Sequence, residues 1–164
     1  MAKSPYDIAP DATYVQAART SLRQQLDALM TNLPGTREGS DIEALHDMRV
    51  ASRRLRAALS VFAAAFPPKP FKAIEKEAAR VTDALGAVRD ADVLIEFMEH
   101  ACEAAPESER VGLQAFTEQV RKERDKDRVT LVEELDRLEK SDFEKDFAKL
   151  LREDEASEEA KTHG

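Results

Sequence analysis

Between His46 and Phe62 the chain reads HDMRVASRRLRAALSVF, and a helix is the regular structure that sorts these residues into faces. At about 100° per residue, His46, Arg49, Arg53 and Arg56 fall within about 80° of one another. Leu45, Met48, Ala51, Leu55, Ala58, Leu59 and Phe62 gather on a separate arc. Arg54 alone turns to the far side. The segment therefore predicts a helix with a core face beside a concentrated strip of positive charge.

The flanking chain predicts more helices. Ala, Leu, Glu, Arg and Lys dominate its 164 residues, with only five glycines and no tryptophan, so one all-α domain with a real core is expected. Residues 1–11 read as a flexible N-terminus broken by Pro5 and Pro10. Asp11 is a plausible cap for a first helix from about Ala12 to Leu33, which repeats Val15, Ala18, Leu22, Leu26, Leu29 and Leu33 at helical spacing. Pro34-Gly35 is expected to end it, before a loop, TREGSD. Ser40 or Asp41 then caps the second helix, with Glu43 in its first turn, and that helix stops before Pro67-Pro68.

A third helix opens near Pro70 and Phe71 and runs to about Ala104, with Ile74, Ala78, Val81, Leu85, Val88, Val93, Leu94, Phe97 and Met98 as its apolar face. Gly86, in its middle, costs about 1 kcal/mol against alanine and marks a kink or a close helix–helix approach. After Pro106 a fourth helix runs from about Arg110 to Lys140 through Leu113, Phe116, Val120, Leu131, Leu135 and Leu138. Its stripe is interrupted where Arg124 takes an apolar position, with Arg121 and Arg128 beside it. Glu123, Asp125 and Asp127 allow a salt-bridged surface there; an inward-leaning arginine layer is the sharper reading. A short fifth helix, Phe143 to Arg152, packs through Phe143, Phe147, Leu150 and Leu151. Residues 153–164 are acidic, lack apolar anchors and read as a disordered tail. The expected architecture is an antiparallel bundle of about four long helices plus a short one over residues 12–152.

Charge is unevenly spread. The net charge is −8, which argues against a general nucleic-acid binder. Yet from His46 to Arg80 there are eight Lys or Arg against the three acids Asp47, Glu75 and Glu77. A locally basic site in an acidic protein suggests selective anion binding; a solvated basic helix face is the alternative. The single cysteine, Cys102, fits a reducing compartment. No apolar run approaches the roughly 20 residues of a membrane span, and MAKSPYDIAPDA lacks the apolar region of a secretory signal. A cytoplasmic location is the expectation.

Guanidinium groups are permanently charged, weakly hydrated and able to hold phosphate oxygens bidentately. Arginines about one turn apart suit consecutive phosphates of a linear polymer. Lys72, Lys76 and Arg80, spaced by four, form a second row that would face the first across a basic groove. Crowded like charges repel, so such an arrangement calls for an anionic partner or interleaved acids. No aromatic residue is placed for base stacking, which makes a bare phosphate chain a better ligand than specific nucleic acid. No glycine-rich phosphate loop, Cys/His metal cluster or nucleophile elbow is visible, and no catalytic residue, metal or cofactor is expected. A metal-assisted phosphohydrolase built on His46 with Asp90 or Asp92 is one rival reading. A helical adaptor whose arginines meet the acids of a protein partner is another. Asp83, Asp90 and Asp92 read more simply as acids that orient arginines.

The run His46-Asp-Met-Arg49-Val-Ala-Ser-Arg53-Arg54-Leu-Arg56, followed by Phe62, closely resembles the signature of the CHAD domain, the conserved histidine α-helical domain. Leu85-Gly86-Ala-Val-Arg89-Asp90-Ala-Asp92-Val93 resembles that family's second landmark, and the likeness covers roughly residues 12–152. CHAD domains are helical bundles that bind inorganic polyphosphate through a basic surface or central channel. They occur alone or beside triphosphate-tunnel domains, and some associate with polyphosphate granules. The resemblance implicates His46, Arg49, Arg53, Arg54, Arg56 and Arg89 as polyphosphate-binding residues, with Asp90 as an orienting acid. Helix geometry extends the set to Lys72, Lys76, Arg80, Arg124 and Arg128. The motif includes Arg54 although the wheel turns it away, so a neighbouring helix or second chain is its expected contact.

CHAD domains usually comprise two related helical halves. Nothing after Pro106 repeats the His-x-x-Arg-x-x-x-Arg-Arg pattern, so only the first half is recognisable. That departure leads to the expectation of a homodimer in which a second copy stands in for the missing half, its basic strip facing the first across or near a two-fold axis; the alternative is an isolated half with an open, weaker site.

Overall fold

A computed structural model describes the backbone of residues 7–162 and the side chains as far as Arg152. The described chain folds into five α-helices with no strand: α1 (Tyr14–Glu38), α2 (Ile42–Phe62), α3 (Pro68–Ala104), α4 (Glu107–Lys140) and α5 (Phe143–Thr162). A short 3₁₀ turn, Ala63–Ala65, leads from α2 to α3. Consecutive long helices run antiparallel. In the α2–α3 pair Arg49 meets Asp90 while Arg56 meets Asp83, and in α3–α4 Arg80 meets Glu134 while Asp92 meets Arg124. The all-α bundle expected from periodicity is therefore the fold.

Boundaries differ from expectation where local chemistry competes. The cap of α1 is Thr13, not Asp11: its hydroxyl accepts from the Gln16 backbone N–H while the Gln16 side chain accepts from the Thr13 N–H, a reciprocal capping box. Pro34 sits inside α1 and does not stop it. Proline removes one backbone donor, and here that loss does not outweigh the burial of Leu29, Leu33 and Thr36. Gly35 serves contact with α2, since a Cβ there would lie 2.9 Å from the Ala44 Cβ. The stop is Gly39, left-handed at φ 79°, whose N–H donates to the Gly35 carbonyl at 3.0 Å. Asp41 caps α2 by accepting from the Glu43 N–H at 2.9 Å.

The helix α5 runs ten residues beyond its expected end at Arg152, to Thr162, so residues 153–162 are helical in backbone where the sequence suggested a disordered tail. Residues 1–6 of the expected flexible N-terminus, and the last two of the tail, lie outside the described residues.

The core is built from Leu22, Leu29 and Leu33 of α1, Met48, Leu55 and Leu59 of α2, Val81 and Leu85 of α3, Leu131 and Leu135 of α4, and Phe147 and Leu150 of α5. All of these were on the expected apolar faces. The distal part of α3 departs from expectation: Val93, Leu94 and Phe97 are 48%, 38% and 66% exposed, and Phe116 of α4 is 50% exposed. The cause is length. With 37 residues α3 is about 55 Å long, whereas the 21 residues of α2 cover about 32 Å. The first residue of α2, Ile42, shares a cleft with Arg89, Asp92 and Ile95. Beyond that point α3 and α4 continue as a two-helix arm without α2 to cover them.

Candidate functional site

An open groove of about 710 Å³ runs along the junction of α2 and α3. Arg49, Arg53 and Arg56 form its α2 wall, with Ala57 and Ser60. The arginines stand there because the opposite arc of α2 is committed to the core, where Met48, Leu55 and Leu59 are fully buried. The α3 wall carries Glu75, Thr82, Asp83, Gly86, Ala87 and Asp90. Glu75, Thr82, Gly86 and Asp90 lie seven, four and four residues apart and so share one helix face.

The two walls carry opposite charge. Arg49 Nη2 lies 3.3 Å from Asp90 Oδ1, and Arg56 Nη1 lies 3.8 Å from Asp83 Oδ1. Between them Arg53 has no acidic partner among the described residues. The Arg49 side chain is only 23% exposed, while Asp90 and Asp83 are 76% and 80% exposed. Arg49 is thus the more enclosed member of its pair, with its guanidinium against Gly86, and both carboxylates stand well exposed. Gly86 makes that packing possible, because a Cβ on it would stand 2.9 Å from Arg49 Nη1. The close approach suggested by this mid-helix glycine is therefore to a side chain from α2, not to a helix backbone.

Not all the candidate residues converge here. His46 is exposed one turn before Arg49 on the same strip, outside the groove lining. Arg54 is exposed and also outside it, as the wheel required. Arg89 lines a separate cleft with Ile42, Asp92 and Arg124. The expected facing row of Lys72, Lys76 and Arg80 does not line the groove. Arg80 points to α4, where its Nε and Nη2 donate to the Glu134 carboxylate at 3.3 and 3.0 Å. Lys76 lines a cleft with Glu77, Arg137 and Asp146, and Lys72 is exposed without lining the groove. The row's place is taken by acids and small residues of α3.

Arg124 and Arg128 form the inward-leaning layer of α4. Arg124 Nε donates to Asp92 Oδ1 at 2.8 Å, and the Asp92 side chain is 11% exposed. Arg128 donates through Nη1 to the Thr36 carbonyl at 2.6 Å and through Nη2 to the Arg37 carbonyl at 2.5 Å. It thereby satisfies carbonyls at the C-terminus of α1, where positive charge is favoured. Burial lowers its pKa from the ordinary arginine value, Arg124 adds to that, and Asp92 opposes it; the group stays protonated. Both arginines are engaged in holding helices together, away from the α2–α3 groove.

Sequence reasoning missed Glu75, Thr82 and Ser60 as groove residues. The α3 face they share with Gly86 was readable as a spacing, but spacing alone does not say which polar face of a helix meets its neighbour. Among the described residues no three His, Cys, Asp or Glu side chains gather in a group that could hold a metal ion, so His46 is not joined to Asp90 and Asp92 in such a cluster.

The sequence model of the CHAD domain matches residues 20–163. The chain belongs to the CHAD domain family. A comparison with curated proteins gives no match. Both landmark segments of the CHAD resemblance reach the groove: Arg49, Arg53 and Arg56 from the first, Gly86 and Asp90 from the second. No helix among the described residues is long and apolar enough to cross a membrane.

Proposed function

We propose that this CHAD domain is a non-catalytic module that binds inorganic polyphosphate along the α2–α3 groove. The observation that carries the reading is the convergence of Arg49, Arg53 and Arg56 on one open groove, with Arg53 free of acidic partners among the described residues. From Arg49 to Arg56 the helix rises about 10 Å, so the row suits an extended polyanion better than a single phosphate. His46, exposed one turn before Arg49 on the same strip, extends the row's positive field, and Arg54, exposed on another face of α2, adds to the helix's positive charge. Binding is then largely electrostatic, weakening with salt and strengthening with chain length. A cytoplasmic site of action, at polyphosphate granules, accompanies this reading.

The same proposal includes a homodimer. Its support is the arm beyond Ile42, where Val93, Leu94, Phe97 and Phe116 leave an apolar surface uncovered. The function is tested by titrating the protein with polyphosphate of graded chain length beside duplex DNA, ATP and poly-glutamate. Length-dependent binding of polyphosphate supports the reading. Preference for poly-glutamate would favour a helical adaptor for an acidic protein instead.

A further inference from the structure

The groove is not an empty basic trough. Its arginines at either end are already engaged by carboxylates from the opposite wall, Asp90 on Arg49 and Asp83 on Arg56, while the central Arg53 is not. From this arrangement we infer that Asp83 and Asp90 are place-holders: they occupy the sites of ligand phosphates, and a polyanion binds by displacing them. The inference rests on the polyphosphate reading above and adds a regulatory contact to it.

Three features of the geometry support exchange over a fixed structural pair. First, the acids are far more exposed than their partners, at 76% against 23% for Asp90 and Arg49, and 80% against 46% for Asp83 and Arg56. A carboxylate in that setting swings into solvent at little cost to itself, and a ligand phosphate takes over the arginine it leaves. Second, the separations of 3.3 and 3.8 Å are those of loose ion pairs, unlike the 2.8 Å Arg124–Asp92 contact in the inner layer. Third, the Arg49 guanidinium rests against Gly86 as well as Asp90, since a Cβ on Gly86 would stand 2.9 Å from its Nη1, so the ion pair is not its only contact in the groove.

Chemistry makes the exchange directional. A carboxylate offers one charge and two oxygens, and each internal phosphate of a chain also brings charged oxygens, but all on one molecule. An anion held first by Arg53 meets Arg49 and Arg56 at high effective concentration, so one ligand displaces both acids. A small anion on Arg53 alone displaces neither. In the absence of ligand the acids neutralise two of the three arginines, which limits repulsion along α2 and suppresses weak adventitious anions.

The test is a double-mutant cycle read by titration with long-chain polyphosphate at fixed salt. Asp90→Asn is made alone, in the Arg49→Gln background, and together with Asp83→Asn; Glu109→Gln/Glu133→Gln, two exposed acids on α4 outside the groove, supplies an equal change of net charge. Each groove substitution is expected to tighten binding by up to about fivefold, the range of one exposed ion pair. The gain from Asp90→Asn should vanish when Arg49 is already Gln, and the Glu109/Glu133 pair should give no comparable gain. Circular dichroism confirms folding of each variant. Unchanged or weaker binding of Asp83→Asn/Asp90→Asn would overturn the inference, as would an equal gain in the Arg49→Gln background, which marks a long-range charge effect. If neither wild type nor Asp83→Asn/Asp90→Asn binds polyphosphate of any length at low salt, the polyphosphate reading itself fails, and the inference with it.

Discussion

Arg49 of α2 sets its Nη1 2.9 Å from the point where a Cβ on Gly86 of α3 would stand. The glycine is a seat for a side chain from the neighbouring helix. It weakens α3 locally, because glycine in a helix interior costs about 1 kcal/mol against alanine. The obstruction a methyl group would meet is the tip of a flexible arginine, which can move. Gly86→Ala is therefore expected to raise stability by up to about 1 kcal/mol while expelling Arg49 from its seat and weakening polyphosphate binding. Thermal melts and titration of the same preparation check this. Lost stability with undisturbed binding would contradict it.

Arg128 stands apart from the groove and serves the fold. Removing its guanidinium leaves the Thr36 and Arg37 carbonyls at the end of α1 without their donor. Arg128→Ala should destabilise by about 2 kcal/mol, the scale of hydrogen bonds from a charged donor, and leave polyphosphate affinity unchanged in the folded protein. Denaturant unfolding and titration separate the two effects.

The α3–α4 pairing responds to acid through Glu134. Its carboxyl is held below the ordinary glutamate value, chiefly by the hydrogen bonds from Arg80, against the opposing effect of burial, with Arg137 adding to the depression. A depressed carboxyl stabilises the fold above the ordinary glutamate range, and that contribution is lost as pH falls through the lowered value. Glu134→Gln should therefore cost about 1 kcal/mol at neutral pH, and the difference from wild type should shrink on acidification. Unfolding curves from pH 7 downward measure it. A difference that is constant with pH would show that the charge of Glu134 is not what matters.

The sequence made most of the fold readable because burial enforces helical periodicity. Leu22, Leu29 and Leu33, Met48, Leu55 and Leu59, and Phe143, Phe147, Leu150 and Leu151 all recur at that spacing and all are buried. It misled at Pro34, where packing outweighs one lost hydrogen bond, and along Val93–Phe97, where an apolar stripe has no helix opposite it. For the site, the α2 wall was legible because its arginines share an arc opposite the core. The α3 wall was not. Lys72, Lys76 and Arg80 have the right charge and a regular spacing, but their azimuth about α3 is set by tertiary packing. That packing turns Arg80 to Glu134 and brings Asp83, Gly86 and Asp90 to the groove.

The uncovered arm predicts an interface. Phe97 is 66% exposed, so Phe97→Glu should leave the stability of the folded chain within about 0.5 kcal/mol of wild type, as surface substitutions generally do. The same change should convert a homodimer to monomer in light scattering at micromolar concentration. A wild-type protein that is already monomeric there would remove the dimer from the account.

The central claim is that Arg49, Arg53 and Arg56 are the polyphosphate site, and charge reversal tests it most directly. Isothermal titration of long-chain polyphosphate into wild type and into Arg49→Glu/Arg53→Glu, at one low salt concentration, should show clear binding by the first and none by the second. Both proteins should have the same helicity by circular dichroism, because neither side chain belongs to the core. Wild-type affinity in the folded double variant would contradict the claim and place the site elsewhere on the molecule.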